Sequence, residues 1–208
     1  MMAGNPEAGR EDLAYLRGVL EDRRPGMRIG GLLYGGAGLI YGTQVLLVAV
    51  DLSGVLPLGD VHGWAAVAAN ILFFGLIVAT VWANRHQLEV RGTANRAIAA
   101  GFAGVGFANA AAAAAFALVM MRTGNPDVWL LFPVVVSAFQ GAVWYLFAAL
   151  ARRFWMGAVA AGWFAAALAA GALIDRQGAY FLVFALALYL LMALPGVALL
   201  RAAGSGRS

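Results

Sequence analysis

Cysteine and lysine are both missing from this chain, and no Asp, Glu, Arg or His stands inside one of its apolar runs. Without cysteine there is no disulfide framework, no thiolate metal site and no Cys nucleophile. All 14 basic residues are therefore Arg, which together with the abundance of Ala and Gly points to a high-GC bacterial genome. Only 12% of residues are charged and 63% are hydrophobic, against roughly 25% charged in ordinary soluble domains. With a mean hydropathy of +0.82, a soluble domain is excluded.

What the chain does contain is a series of apolar runs, at about 29–50, 63–84, 97–121, 128–151, 154–174 and 178–200. Each can supply the roughly 20 residues that cross a bilayer core. The fold class this implies is an all-α integral membrane protein, a bundle of six transmembrane helices. A β-barrel would alternate lipid-facing and lumen-facing side chains over strands of about ten residues, and these runs show no such alternation. The N-terminal stretch lacks the apolar core of a signal peptide, so the first span is expected to serve as its own insertion signal.

Arginine placement orients the bundle, because basic residues beside spans stay on the cytoplasmic side. Arg10, Arg17, Arg23, Arg24 and Arg28, then Arg85, Arg91 and Arg96, then Arg152 and Arg153, and finally Arg201 and Arg207 fall on one side. Arg122 and Arg176 fall on the other, with Asp51, Asp60, Asp127 and Asp175. Both termini are predicted to be cytoplasmic, in a bacterial inner membrane. The net charge of +4 then follows from topology and calls for no nucleic-acid partner.

Three regions follow: 1–28 as a cytoplasmic amphipathic helix with its lead-in, 29–200 as the six-helix domain, and 201–208 as a short cytoplasmic tail. In residues 7–24, Leu13, Leu16, Val19 and Leu20 recur at helical spacing with charged residues on the other faces. Pro25-Gly26 is expected to stop this helix. Its apolar stripe suits docking on the bundle, burial among lipid headgroups or a groove on another protein, and those four residues are the candidate partner contacts. Aligning Arg28, Arg96 and Arg152 also brings Gly38, Gly106 and Gly162 into register ten residues later. This fits three repeated helical hairpins, and it equally fits the sheer abundance of glycine.

No Asp, Glu, Arg or His lies in the interior of a span, which removes the usual carriers of proton relays and acid-base chemistry in membranes. His62 and His86 are predicted at opposite membrane faces, so no metal or haem site is expected. What the spans do hold is amides and hydroxyls. Gln44, Asn70, Asn109, Gln140 and Tyr189 lie in the central or outer half of the membrane, where an unpaired polar group costs several kcal/mol. They either bond across helices or line one polar cavity for an uncharged ligand. Tyr34, Tyr41 and Gln44 share one helical stripe, and Ser137, Gln140 and Trp144 another. Pro133 and Pro195 fall inside spans and are expected to kink them. Trp64, Trp129, Trp82 and Trp155 suit interfacial anchoring, while Trp144 and Trp163 suit the core.

The stretch 101–116, GFAGVGFANAAAAAAF, sits in span three. Ala100, Gly104, Ala108, Ala111 and Ala115 form a smooth face that admits a close neighbour, which argues for a position inside the bundle. Phe102, Asn109 and Phe116, seven residues apart, form a second stripe, with Gln140 or Asn70 as the expected partner of the amide. No activated nucleophile, metal cluster or paired acid and base stands at a recognisable spacing. The expected function is therefore non-enzymatic and cofactor-free: a regulatory, scaffold or assembly partner acting through helix packing, with itself as a homo-oligomer or with another protein, and through the N-terminal helix. The alternative is a carrier or channel for a small neutral or lipophilic solute, using the amides.

Overall fold

The computed structural model describes residues 24–85 and 93–204, all helical apart from short connections, with no strand among them. The expected amphipathic segment, with Leu13, Leu16, Val19 and Leu20, lies outside these residues. Helix α1 spans Arg24–Leu52, α2 Val61–Ala83 and α3 Thr93–Thr123. A 3-10 turn, Pro126–Leu130, leads into α4, Leu131–Ala151, followed by α5, Phe154–Ala172. Helix α6, Gln177–Leu188, passes through a π-helical turn, Tyr189–Ala193, into α7, Leu194–Gly204. Six of these units are long and apolar enough to cross a membrane: Gly26–Leu52, Gly63–Ala83, Ala100–Thr123, Pro126–Ala151, Phe154–Ala172 and Gln177–Gly204. The chain is a multi-pass membrane protein.

One proline behaves differently from the expectation. Pro133 lies in the first turn of α4 and not inside that helix. Pro25 lies in the first turn of α1, where its missing N–H costs nothing; the helix it was expected to stop lies outside the described residues. Pro195 alone perturbs a span. The N–H of Leu194 reaches back five residues to the carbonyl of Tyr189, the wide spacing of a π turn, directly before the residue that has no N–H to give.

The connections close by local chemistry. Gly54 and Gly59 take φ of +72° and +55° between α1 and α2, where the Asp51 carboxylate accepts from the Leu58 N–H at 2.7 Å. Between α4 and α5, Arg152 adopts the left-handed conformation, φ 51°, and so makes a two-residue turn that glycine usually makes.

Four units build the core: α1, α4, α5 and the α6–α7 unit. Their largest fully buried side chains include Trp144, Trp163 and Tyr180, so the two deeper tryptophans are indeed core residues. Helix α1 lies along α6, the π turn and α7, while α5 bridges α4 and α6. The approach of α1 to the last span is backbone to backbone. A side chain at Gly38 would come within 2.5 Å of the Ala193 nitrogen and 2.8 Å of the Leu188 carbonyl oxygen, and one at Gly196 would run into the Cα of Gly35.

Helices α2 and α3 lie at the edges, α2 packed on α1 and α3 on α4. Within the apolar window of α3 no residue is buried. The expectation that this alanine-rich span belongs inside the bundle is therefore corrected. Its small face is exposed at Ala100, Gly104, Ala111 and Ala115, while Phe102 packs on Phe147 at 4.9 Å and Phe116 on Phe132 at 6.2 Å. In lipid, exposing an apolar face carries no hydrophobic penalty.

Candidate functional site

The buried polar group with the most side-chain hydrogen bonds is the Tyr34 hydroxyl on α1. Tyr34 is 5% exposed, and it stands beside Trp144 of α4 and Trp163 of α5, which are 1% and 2% exposed. Both indoles donate to the phenol oxygen, Trp144 Nε1 at 2.6 Å and Trp163 Nε1 at 3.2 Å. The single phenolic proton faces two acceptors, the Leu191 carbonyl at 3.3 Å and Gln140 Oε1 at 3.4 Å. Leu191 is four residues before Pro195, so its carbonyl lacks the ordinary helical donor. Tyr34 supplies that donor from another helix. Phe102 tilts against the Tyr34 ring at 5.7 Å, so this centre touches every long unit except α2.

A second polar pair ties α2 to α1. The Tyr41 hydroxyl donates to Asn70 Oδ1 at 3.2 Å, and Asn70 Nδ2 returns to the Ala66 carbonyl of its own helix at 2.8 Å. The Tyr41 ring meets Phe73 edge-on at 5.3 Å. A third pair lies nearby on α1. The Thr43 hydroxyl donates to the Leu39 carbonyl at 2.8 Å, which makes it the acceptor from the Tyr189 hydroxyl, also 2.8 Å away. Thr43 and Gln44 line a crevice of about 390 Å³ between α1 and α2, walled otherwise by leucine, isoleucine and alanine. Gln44 makes no hydrogen bond to any described residue, and its amide atoms are not buried.

Asn109 is a separate case. It shares a stripe with Phe102 and Phe116, as their spacing predicts, and those two pack on α4; its Oδ1 is buried with no hydrogen-bond partner among the described residues. The expected bond to Gln140 or Asn70 does not form, because Gln140 serves Tyr34 and Asn70 serves Tyr41. The five polar residues therefore attend to separate positions and do not gather round one central cavity. Ser137, Gln140 and Trp144 do share one buried face of α4, as their spacing predicts.

Two groups that matter most at the buried centre carry no role in the sequence pattern. Tyr34 stands there only on a stripe with Tyr41 and Gln44, and the Leu191 carbonyl is invisible as a side chain. The signal for the latter was the position of Pro195, which frees the carbonyl four residues earlier. At the membrane ends, Trp64 and Trp82 are exposed, Arg85 stacks 4.9 Å over Trp82, and Trp155 turns inward against Trp144 at 5.6 Å. No group of three or more metal-ligating side chains occurs among the described residues. The chain matches no family model, no curated protein and no solved structure.

Proposed function

We propose that this chain is a non-enzymatic scaffold or assembly partner of a bacterial inner membrane, with both termini cytoplasmic, acting through helix packing. The observation that carries the reading is α3. It is held to the bundle by one narrow stripe, with Phe102 and Phe116 seated on α4, and leaves Ala100, Gly104, Ala111 and Ala115 outward. A face of small residues lets a second helix approach closely enough for backbone contact. The buried hydroxyls and amides described above serve helix packing, and none stands beside an activating base, as catalysis would require. A carrier with one amide-lined cavity draws less support, since Gln140, Asn70 and Tyr189 are each engaged in their own bond.

Residues 1–23, with Leu13, Leu16, Val19 and Leu20, are the cytoplasmic half of the proposed interface. The test is recovery of complexes from mild detergent. Gly104→Leu combined with Ala111→Leu is expected to leave the melting temperature within a few degrees of wild type while the complex, with a second copy or with another protein, is lost. Deletion of residues 1–23 is expected to weaken it further. Recovery of the same complexes from the double variant sinks the α3 interface.

A further inference from the structure

We infer that the crevice between α1 and α2 is a binding site for an uncharged lipid with a hydroxyl head, of the prenol or sterol type. The site is independent of the partner face proposed on α3. Its walls are Leu39, Ile40 and Leu47 on one side and Ala65, Ala68 and Leu72 on the other. Leu39 and Leu72 are exposed, so the crevice opens sideways into the bilayer and not to water. No charged residue lines it, which removes any counter-ion for a phosphate or ammonium head.

Its polar groups specify what the head must carry. The Thr43 proton is committed to the Leu39 carbonyl, and the Tyr189 proton is directed at Thr43. The Gln44 carboxamide, by contrast, keeps both its N–H donors and its carbonyl. A hydroxyl, which accepts from Gln44 Nε2 while donating to Gln44 Oε1, meets both sides of this amide, whereas a hydrocarbon alone leaves it unpaired in lipid.

Depth excludes the commonest competitor. Gln44 precedes the end of α1 at Leu52 by eight residues, about 12 Å along the helix axis. That lies below the headgroup layer, since the bilayer with its interfaces is about 40–45 Å thick around a core of about 30 Å. A phospholipid can lay an acyl chain here but cannot bring its head to the amide. A lipid with one small neutral head can.

The site is tested with a diazirine-bearing farnesol, photolysed with the full-length protein in phosphatidylethanolamine–phosphatidylglycerol vesicles, followed by peptide mapping. Labelling is expected to saturate, to be displaced by excess plain farnesol, and to concentrate on 39–47 and 65–72. It should fall about tenfold in Gln44→Leu, which is what losing one or two buried hydrogen bonds is worth, and also in Ala68→Phe, which fills the crevice. A phosphatidylcholine carrying the diazirine on an acyl chain should label without saturation and without regard to either variant. Wild-type labelling that rises linearly with the farnesol probe and ignores the competitor overturns the site whatever the variants do. So does undiminished labelling of a Gln44→Leu protein that melts like wild type.

Discussion

The Tyr34 hydroxyl collects two indole N–H groups and faces with its own proton a carbonyl whose ordinary i+4 donor Pro195 removes. Removing that oxygen strands two buried donors at once, and a stranded buried group costs about 1–3 kcal/mol. Tyr34→Phe is therefore expected to lower stability by about 2 kcal/mol in detergent unfolding. Gln140→Leu, which leaves Tyr34 with the Leu191 carbonyl, should cost under about 1 kcal/mol, in the range of single interhelical bonds in membranes. Equal costs for the two changes would show that the phenol is not the shared acceptor. Asn109 is expected to move the other way. Its carbonyl oxygen is buried without a partner, so Asn109→Leu should raise stability by about 1 kcal/mol, read as a shift of the same unfolding midpoint. A fall would mean that the amide serves a group not present in a single chain.

At the scale of elements, the contact between α1 and the last span depends on glycines, and the consequences differ sharply from place to place. Gly38 faces the backbone of the π turn, which cannot yield as a side chain would, whereas Gly106 has nothing within 4 Å of its missing Cβ. Gly38→Ala is expected to cost several kcal/mol or to prevent folding, an overpacking effect. Gly106→Ala should stabilise by up to about 1 kcal/mol through helix propensity alone. Thermal melting of the two variants side by side decides it, and matching behaviour would contradict the packing. The same contrast bears on the hairpin register: Gly38, Gly106 and Gly162 align in sequence, but Gly162 meets the Leu191 side chain, Gly38 meets backbone and Gly106 meets nothing. Pro195 is coupled to Tyr34 through one carbonyl. In a Pro195→Ala background the new N–H can serve Leu191, so Tyr34→Phe should cost about 0.5–1 kcal/mol less than it does alone, a coupling that a double-mutant cycle measures.

For the whole molecule, the arginine distribution predicts an orientation that direct labelling can check. Because the chain has no cysteine, any single introduced thiol reports its own position. With a membrane-impermeant maleimide, Ser53→Cys is expected to label in intact spheroplasts and Gly204→Cys only after lysis. The opposite pattern reverses the topology.

Span number, and span limits to within about four residues, were legible in the sequence, because hydrocarbon admits only long apolar helices and each run declared its own length. The core tryptophans and the stripe that Phe102, Asn109 and Phe116 share on α3 were legible too, since helical periodicity is a local property; that the stripe faces α4 was not. Which spans stand at the centre was not. Ala108 and Gly104 look ready for close packing, yet α3 is at the edge and the close packing falls to Gly35, Gly38 and Gly196. Nor could the partner of any amide be read. Gln140, Asn70 and Tyr189 each found a hydroxyl on α1, while Asn109 and Gln44 found none among the described residues. Apolar length and charge at span ends are fixed residue by residue along the chain. Pairing across helices depends on neighbours far along the chain, 29 residues for Tyr41 and Asn70 and 110 for Tyr34 and Trp144, and only the tertiary structure brings those into reach.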